Sequence, residues 1–421
     1  MRTTALVLFA FLTLGGVGAS ASAETPQLSL DEALQEARRA NAALPVARFE
    51  ADGADAAARE AEGRRYPSLA FDGDMHGGTP NRYASWDARA QLVAEAPLFD
   101  GGRLRAGATR GLAEAAAARA GYRRAERDLD HEVRARFAEC LEAEREIAFR
   151  QAGLARLDTY LSLINARRAS GQGLASDRSK TLVRLGEGEA AVADAVRRLD
   201  EAKLELNDLM GRPLDAPLEL AATPLPTAQS AQSAAEPWRS APELDLADAS
   251  VQAAGAELEM VRADRWPTVS LVADAGGQPV IGNSREALLN NGVGWGAEFV
   301  LLFNLPLWDA GVYRSRVAEA DLAEKAARQR AVATLHGVTL EWRRAEARLR
   351  NLLHEVEVRA NTIDTARDSY LQAESLYRGG VGTALEVLEA YDAWTSSNQT
   401  HADAELRYRL AEADLLRWGS P

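Results

Sequence analysis

Residues that could do chemistry are few in this chain, and they do not stand at spacings typical of a catalytic or metal site. The five histidines are isolated from one another along the chain: His76, His131, His336, His354 and His401. Metal sites usually place their ligands at short, defined spacings, such as two histidines one helical turn apart. We therefore interpret the histidines as surface or helix-seam residues and expect no bound metal.

Nucleophile and nucleotide motifs are absent as well. The sequence contains no G-x-S-x-G nucleophile elbow and no phosphate-binding P-loop. Two Gly-x-Gly pairs, at 171–173 and 380–382, follow helical patterns, whereas the glycines of a dinucleotide-binding fold follow a strand. The sequence predicts a protein that is not an enzyme and needs no cofactor.

The net charge and the single thiol exclude further classes. The formal net charge is −13, which disfavours nucleic acid as a partner. Cys140 is the only cysteine, so it cannot form an internal disulfide, and it lies inside a helical pattern. We expect Cys140 to be a buried and inert thiol.

The N-terminal segment 1–23 has the composition of a secretory signal peptide. It carries one basic residue, Arg2, then an apolar run over 5–14, and it ends in an A-x-A-like sequence before Glu24. Neither this run nor any later stretch reaches the roughly 20 apolar residues that a transmembrane helix needs. We expect an exported protein without a membrane helix.

The rest of the chain is a tandem duplication. The sequence PLFDGG at 97–102 returns 209 residues later as PLWDAG at 306–311. The same shift carries Trp86 onto Trp295, Arg105 onto Arg314, Gly171 onto Gly380 and Gly173 onto Gly382. Upstream, RYPS at 65–68 matches RWPT at 265–268 at a shift of 200, so the second copy has gained nine residues in between. We expect a first repeat over 24–211, a linker rich in Pro, Ala, Ser and Thr over 212–238, and a second repeat over 239–421.

Each repeat contains two stretches with the alternation of a β-strand. In each repeat the first strand follows a proline, Pro67 or Pro267, and the second strand precedes the repeated corner. The alternating stretch over 85–98 has one face without any charge and another face with three charges. Four strands are too few for a sandwich core, so an outer face against lipid and a wet inner face fit the pattern better. A long polar loop is predicted over 278–292.

Two proline-free stretches rich in Ala, Arg and Glu, 102–168 and 311–377, predict helices of 67 residues each. Such a helix is about 100 Å long. Each ends at a Gly-x-Gly pair and is followed by a return helix with apolar residues spaced by 3 and 4, as in a coiled-coil seam. Two shorter helices complete the prediction. One starts at the S-x-x-E capping box of Ser29, runs to about Gly63 and breaks near Pro45, and the other spans 241–265.

Closure of the strands requires more than one copy of the chain. Four strands cannot close a barrel, and an open sheet edge cannot face lipid. Eight strands from two copies would be too narrow for a passage, whereas twelve from three copies leave a lumen. The predicted fold class is therefore mainly α with a transmembrane β part, in which a trimeric 12-stranded β-barrel continues into a long α-helical barrel.

Aromatic residues fall at both ends of the predicted strands. Trp86 and Trp295 lie at one end, and Phe99 and Trp308 lie at the other. This placement is typical of the aromatic girdles at the two membrane interfaces. The alternative is that these side chains pack into an ordinary core.

The chain resembles the TolC-like family of outer-membrane efflux proteins. The resemblance rests on LSLDEAL at 28–34, on the corners APLFDGG and LPLWDAG, and on GGVGTALEVLEA at 379–390. It covers the whole predicted mature chain and implies a homotrimer in the cell outer membrane that extends into the periplasm. It also implies the role of an exit duct in a tripartite efflux or type I secretion system. The implied partners are outer-membrane lipid, a periplasmic adaptor protein and an inner-membrane pump.

The resemblance also assigns an acidic ring and docking tips near the two Gly-rich breaks. The ring, which narrows the periplasmic mouth, falls on Glu386 and Glu389. Three like charges around a narrow pore favour cations. The alternative is that both glutamates are solvated and complement the dipole of a helix first turn. The hairpin tips on which an adaptor docks are marked by Gly171, Gly173, Gly380 and Gly382.

A polar latch between the hairpins is implied in the same way. Asp177 matches the acceptor position and Tyr377 matches one donor. The arginine that supplies a second donor in the family is replaced by Gly382 here, with Arg378 as the nearest substitute. The transported substrate is left open.

One alternative function belongs to a different class. Long helical hairpins also occur in periplasmic coiled-coil scaffolds or adaptors that have no pore. This alternative leaves the tandem duplication and the alternating strands with Trp at their ends unexplained.

Overall fold

The computed structural model describes residues 27–78, 85–171, 173–222, 236–278, 280–282 and 294–418, so the predicted signal peptide lies outside it. The helices are α1 (Leu30–Ala40), α2 (Ala43–Gly63), α3 (Arg103–Ala169), α4 (Ala175–Leu209), α5 (Pro242–Ala263), α6 (Val312–Arg378) and α7 (Ala384–Leu416), with a short 3-10 helix at Pro237–Ser240. The strands are β1 (Ser68–Gly78), β2 (Ser85–Phe99), β3 (Thr268–Gln278), β4 (Val280–Gly282) and β5 (Gly294–Asn304). The order of elements confirms the predicted duplication of two strands and two long helices.

Helices α1 and α2 form where the sequence predicts one helix with a break. The N–H of Glu32 donates to Ser29 Oγ at 3.3 Å, and the N–H of Ser29 donates to Glu32 Oε2 at 2.9 Å, which completes the capping box. The break falls at Asn41, whose side-chain amide donates to the carbonyl of Leu209 at 3.1 Å. Asn41 therefore attaches the N-terminal helices to the end of α4.

The four long strands form one antiparallel sheet in the order β1-β2-β3-β5. Ser68 pairs with Glu95 in the first repeat, and Thr268 pairs with Asn304 in the second. These pairs are equivalent under the shifts of 200 and 209 residues, so the two repeats share one strand register. Among the described strands, β1 and β5 each have a single long neighbour, so each leaves one edge of the sheet unpaired.

The long loop predicted over 278–292 contains a short strand that the sequence analysis missed. Strand β4 pairs with the start of β2, with Val280 opposite Asp87 and Ile281 opposite Trp86. Strand β2 extends beyond the end of its pairing with β3, which stops at Ala90. The free N–H and C=O groups of β2 are therefore available to β4, and the β-branched Val280 and Ile281 favour an extended backbone.

An aspartate forms the corner between the second strand and the long helix of each repeat. The carboxylate of Asp100 accepts the N–H groups two and four residues ahead at 2.9 and 2.5 Å. The carboxylate of Asp309 accepts the equivalent groups at 3.1 and 2.5 Å. Each carboxylate satisfies free N–H groups of a helix start, so α3 and α6 begin at equivalent residues, Arg103 and Val312.

The two longest helices, α3 and α6, have 67 residues each, as predicted. At about 1.5 Å per residue each is roughly 100 Å long. Helix α4 returns along α3 to form a first hairpin, and α7 returns along α6 to form a second hairpin. Helix α5 lies between α3 and α6 and contacts both, while α7 also contacts α3 and joins the two hairpins.

The core of the described chain lies between helices. One cluster joins α1, α3 and the end of α4 with Leu218 and Leu220 of the linker. The backbone of Leu220 pairs with that of Leu28. The linker is thus partly buried at its start. Cys140 belongs to this cluster and is fully buried, and burial raises the pKa of its thiol to about 12. The prediction of a buried thiol is confirmed, and the raised pKa agrees with low reactivity.

The sheet contributes no apolar side chain to any core within the described residues. Its large apolar side chains are exposed instead, for example Leu69 at 72%, Phe71 at 70% and Phe299 at 75%. An exposed apolar face of this kind indicates contact with an apolar partner instead of with water. Within the described ranges, no helix is long and apolar enough to cross a membrane.

The aromatic residues predicted as girdles lie at the strand ends. Phe99 ends β2 and is 47% exposed, and Trp308 follows β5 and is 87% exposed. The backbones of Trp86 and Trp295 lie near the opposite ends of β2 and β5, while their side chains lie outside the described part of the structure. Contact of these residues with a membrane interface remains a prediction.

Candidate functional site

The first hairpin tip joins α3 to α4 through a tight turn. Gly171 has a φ of +81°, a conformation that favours glycine. A Cβ at Gly173 would lie 2.9 Å from the backbone N of Arg168, so a side chain there would force the turn apart. Leu174 precedes α4 and supplies no side-chain cap. The glycines therefore set the backbone of this tip, and Ser170 Oγ donates to the carbonyl of Arg167 at 2.9 Å.

The second hairpin tip has the same backbone but a different helix start. Gly380 has a φ of +83°, and the N–H groups of Val381 and Gly382 both donate to the carbonyl of Leu376, at 3.0 and 3.1 Å. Thr383 and Glu386 form a capping box at the start of α7. The N–H of Glu386 donates to Thr383 Oγ1 at 3.3 Å, and the N–H of Thr383 donates to Glu386 Oε2 at 2.8 Å.

Glu386 and Glu389 lie on the exposed face of the first turns of α7, with Val387 and Leu388 buried behind them. One carboxylate oxygen of Glu386 is held by the capping box. Glu389 makes no hydrogen bond or ion pair within the described part of the chain. The capping box supports the helix-start alternative for Glu386, and Glu389 is exposed to solvent as that alternative also expects, so the acidic ring stays a prediction.

Asp177 and Tyr377 approach each other without the predicted hydrogen bond. Tyr377 is buried at 4% exposure, and burial together with the negative charge of Asp177 raises the pKa of its hydroxyl, against the opposing charge of Arg167. No hydrogen bond joins Tyr377 Oη to the Asp177 carboxylate among the described residues. Arg378 forms an ion pair with Glu374 at 2.7 Å on its own helix. The Tyr–Asp latch remains a prediction.

A contact that the sequence analysis missed does cross between the tips. Arg167, near the end of α3, donates from Nη1 to the backbone carbonyl of Tyr377 at the end of α6. Its guanidinium carbon also lies 4.8 Å from the centre of the Tyr377 ring, within the range of a cation–π contact. A Cβ at Gly382 would lie 3.1 Å from the N of Tyr377, so this backbone leaves little room for a side chain there.

Behind the tips, an aromatic cluster joins the two hairpins. Tyr160 of α3 packs on Tyr377 with ring centres 5.3 Å apart, and Phe149 of α3 packs edge-on to Trp394 at 5.8 Å. Within the second hairpin, Tyr370 stacks on Trp394 at 5.6 Å with an interplanar angle of 19°. Aromatic pairs of this geometry each contribute about 0.5–1.5 kcal/mol beyond the area that they bury. Near the tips the hairpins are therefore joined by apolar packing and by Arg167, and farther along by ion pairs such as Arg145–Glu405 at 3.0 Å.

One of these features had a signal in the sequence. Thr383-x-x-Glu386 has the same capping-box spacing as Ser29-x-x-Glu32, which the sequence analysis did use. Arg167 had no such signal, because its partner lies 210 residues away along the chain. Within the described ranges, no group of three or more His, Cys, Asp or Glu residues is placed to hold a metal ion.

Comparison with known proteins identifies the fold. Solved structures match the chain over nearly its whole length, and three of the similar ones illustrate this. A membrane protein from Pseudomonas aeruginosa has a TM-score of 0.81 and 21% identity, and the match covers 92% of this chain and 93% of that chain. The outer membrane protein VceC from Vibrio cholerae has a TM-score of 0.82 and 19% identity, with 93% of this chain and 96% of that chain covered. The open state of the MtrE outer membrane channel from Neisseria gonorrhoeae has a TM-score of 0.76 and 22% identity, with 92% of this chain and 88% of that chain covered. No curated protein matches the sequence.

The family model for the outer membrane efflux protein matches residues 33–212 and 238–418. The two matched segments cover most of the chain and correspond to the two halves of the duplication. This is a family of transport channels and not of enzymes, in agreement with the sequence analysis. The chain belongs to the outer membrane efflux protein family.

Proposed function

We propose that three copies of this chain form a twelve-stranded β-barrel in the outer membrane, continued by a tube of twelve long helices in the periplasm. The assembly is the exit duct of a tripartite efflux or type I secretion system, and solutes pass through it to the exterior. The observation that carries the proposal is the sheet: among the described residues neither of its faces is covered by a core, and its two outer strands each have an unpaired edge. In such a barrel the apolar face contacts lipid, the other face contacts water, and the unpaired edges pair with further copies of the chain.

The duplication indicates which strands meet between copies. Within one chain, β2 of the first repeat pairs with β3 of the second, with Leu92 opposite Ala275. The equivalents of these residues are Leu301 on β5 and Met75 on β1, which form the unpaired edges. Because the repeats share one register, we expect β5 of one copy to pair with β1 of the next, with Leu301 opposite Met75.

The helices support the same closure. Helix α5 packs on α6 of its own repeat and on α3 of the other repeat. Its counterpart α2 packs extensively only on α3, and leaves Val46 at 57% and Phe49 at 70% exposure. The missing neighbour of α2 is, by the same symmetry, α6 of another copy, where Leu322 is 65% exposed.

A cross-linking experiment tests the proposal. Leu301→Cys combined with Met75→Cys should form disulfides between copies on oxidation, because directly opposed residues bring their Cα atoms within about 5.5 Å. Denaturing electrophoresis without reductant should show a ladder that ends at the trimer. The native Cys140 does not interfere, because it is buried.

The matched control moves one cysteine along β1 and keeps it on the same face of the sheet. Phe71→Cys with Leu301→Cys places the second thiol four residues away along β1, about 13 Å from the first position, and should give no cross-link. Cross-linking of both pairs alike, or of neither pair in correctly folded protein, would refute this closure. A coiled-coil scaffold without a pore, the alternative function, predicts no ladder.

We further propose that the tips form the periplasmic mouth, with Glu386 and Glu389 as its acidic ring and with Gly171, Gly173, Gly380 and Gly382 shaping the turns on which a periplasmic adaptor docks. Asp177 and Tyr377 act there as a latch, supported by the Arg167 contact with the Tyr377 carbonyl. The adaptor in turn connects the tube to an inner-membrane pump. Opening of the mouth then requires the two hairpins to separate at the aromatic cluster.

Single-channel conductance in a planar bilayer tests the ring. Glu386→Ala with Glu389→Ala should reduce cation selectivity and relieve block by divalent cations added on the periplasmic side. The control is Glu357→Ala, which removes an exposed carboxylate of α6 about 30 Å from the tip and should leave both properties unchanged. Identical behaviour of the double variant and the wild type would leave the duct in place and exclude these two residues as its ring.

A further inference from the structure

A cavity lies between the two hairpins, away from the tips. Its volume is about 690 Å³, and it is walled by α3, α4 and α7 of a single chain. This volume is within the range of sites that bind small organic molecules. Small residues create part of the space. A Cβ at Gly153 would lie 2.8 Å from Tyr391 Oη, and one at Gly188 would lie 2.6 Å from Leu154 Cδ2.

One carboxylate in the wall of this cavity has an unpartnered oxygen. Glu142 is only 8% exposed, and its Oε2 is buried without a hydrogen-bond partner among the described residues. Burial, with the nearby charge of Glu405, raises the pKa of Glu142 to about 7, against the opposing charges of Arg145 and Arg409. A buried carboxylate in this state is stabilised by any cation that reaches it.

The arginines of the wall are paired with other carboxylates. Arg145 pairs with Glu405 at 3.0 Å, and Arg184 pairs with Asp392 at 2.8 Å. Glu146 is shared by Arg150 and Arg198, at 2.6 and 2.8 Å. These pairs occupy the arginines, and Glu142 is the wall carboxylate that is both buried and has an oxygen without a partner among the described residues, so its charge is available to a ligand.

An apolar surface lies in the same wall. Phe149 of α3 and Tyr391 of α7 both line the cavity. Aromatic faces attract cations and also pack against apolar groups. A carboxylate and two aromatic rings around one cavity therefore favour a ligand that has a positive charge on an apolar body.

We propose that the cavity between the hairpins binds an organic cation, with Glu142 pairing with its charge and with Phe149 and Tyr391 contacting its apolar part. The second repeat does not reproduce this site. A shift of 209 residues carries Glu142 onto Asn351, Phe149 onto Val358 and Gly153 onto Thr362. The site is therefore specific to the contact between the two hairpins of one chain, and it does not depend on whether the assembly conducts.

Titration calorimetry of the purified, detergent-solubilised protein with tetraphenylphosphonium tests the proposal. This probe is a permanent lipophilic cation, and tetraphenylborate provides an anion of the same shape as a control. Glu142→Gln should weaken binding of the cation at least about tenfold, because it removes one partner of a buried charge pair and preserves the shape. The rim variant Glu187→Gln should bind as the wild type does. Tetraphenylborate should bind at least tenfold more weakly than the cation.

The pH dependence gives a second readout. The bound cation favours the ionised form of Glu142, so binding releases a proton, and affinity should fall about tenfold between pH 8 and pH 6. The charged groups that face Glu142 are Arg145 and Glu146 on α3 and Glu405 and Arg409 on α7. His401 lies 3.7 Å from Glu405, so His401→Gln is the control: it must retain the dependence, whereas Glu142→Gln must abolish it.

Ala191→Phe provides a test that does not alter the charge, because residue 191 lines the cavity and the larger side chain fills part of it. It should also weaken binding of the cation. Equal binding of tetraphenylphosphonium by the wild type and by Glu142→Gln would overturn the proposal, and so would failure of the wild type to bind at millimolar concentration. Either result would leave the Leu301–Met75 cross-link unaffected, so the two proposals fail separately.

Discussion

The two hairpin tips share a backbone but differ in how the return helix begins. Gly171 and Gly380 occupy equivalent positions with φ values of +81° and +83°. The residues that precede the two return helices, Leu174 and Thr383, are also equivalent. Leu174 supplies no cap to α4, whereas Thr383 forms a capping box with Glu386 in α7. The glycines thus set the backbone of the tip in both repeats, while the side chains at the start of the return helix differ between the repeats.

The charges on the two tips diverge in the same way. The positions equivalent to Glu386 and Glu389 are Asp177 and Lys180 in the first repeat. The first tip therefore carries one charge of each sign at these positions, and the second carries two negative charges. In the trimer that we propose, an acidic ring at the mouth would therefore come mainly from the second repeat.

The strands of the two repeats also share a backbone register and differ in the charges of their side chains. In the first repeat Asp74 lies opposite Arg89, and in the second the equivalent residues Asp274 and Glu298 lie opposite each other. Opposite charges at directly facing positions stabilise a sheet, and like charges destabilise it. One register therefore holds both a favourable and an unfavourable pair.

The largest expected effect is at the corner before α3. Gly101 has a φ of +66°, and a Cβ there would lie 2.5 Å from the Cβ of Trp266. Gly101→Ala should therefore destabilise the protein by about 2–5 kcal/mol, from the left-handed backbone and the clash together. Chemical unfolding of the solubilised protein followed by circular dichroism measures the change.

The second repeat offers the matched control for this corner. Ala310 is equivalent to Gly101 and has a φ of 55°. Ala310→Gly should change the free energy of unfolding by less than about 1 kcal/mol, because relief of the left-handed backbone is offset by the greater freedom of the unfolded chain. A Gly101→Ala variant as stable as the wild type would show that Trp266 moves freely and that the corners are equivalent.

The next effect concerns Glu142, whose equivalent in the second repeat is the neutral Asn351. The folded pKa of about 7 lies above the ordinary value of 4.5, so ionisation in the folded state reduces stability. This penalty is absent below pH 4.5 and complete above pH 7. Glu142→Gln should therefore stabilise the protein by about 1–3 kcal/mol at pH 8 and by little at pH 4.5.

Unfolding measured at both pH values distinguishes this cause from better packing. A gain of the same size at pH 4.5 and pH 8 would contradict the ionisation argument, because packing does not titrate. Asn351→Glu is the reciprocal variant. It places a carboxylate on an exposed position of α6 and should change stability by less than about 0.5 kcal/mol.

A smaller effect is expected at the cap of α7. Thr383→Ala removes the acceptor for the N–H of Glu386 and should destabilise the tip by about 1 kcal/mol. Hydrogen exchange of the first-turn amides of α7 should accelerate about fivefold as a result. Leu174→Ala at the equivalent uncapped position should leave exchange at the start of α4 unchanged, and equal acceleration at both tips would contradict the assigned cap.

The sequence predicted the elements well because their signals are periodic or local. The 67-residue helices, the corners at Asp100 and Asp309 and the turns at Gly171 and Gly380 all follow from residue spacing over short stretches. Strand β4 was missed because it forms only where β2 extends beyond β3, which depends on strand pairing and not on the local polar sequence.

The contacts between hairpins were not predictable in the same way. Arg167 and Tyr377 meet only after both long helices have formed and packed, and their separation along the chain gives no pattern to detect. The cavity around Glu142 likewise depends on the spacing between α4 and α7. By contrast, the capping box at Thr383 was detectable from sequence, because Ser29 and Glu32 have the same spacing.

The smallest expected effect is in the sheet. Glu298→Arg gives the second repeat the charge pattern of the first, with Arg opposite Asp274, and should stabilise the sheet by about 0.5 kcal/mol. Arg89→Glu makes the reverse change opposite Asp74 and should destabilise it by a similar amount. Thermal unfolding of the solubilised protein at low salt measures both changes, and the differences should shrink in 1 M salt because the charges are screened. A gain for Glu298→Gln as large as that for Glu298→Arg would show that relief of repulsion alone, and not the new pair, accounts for the effect.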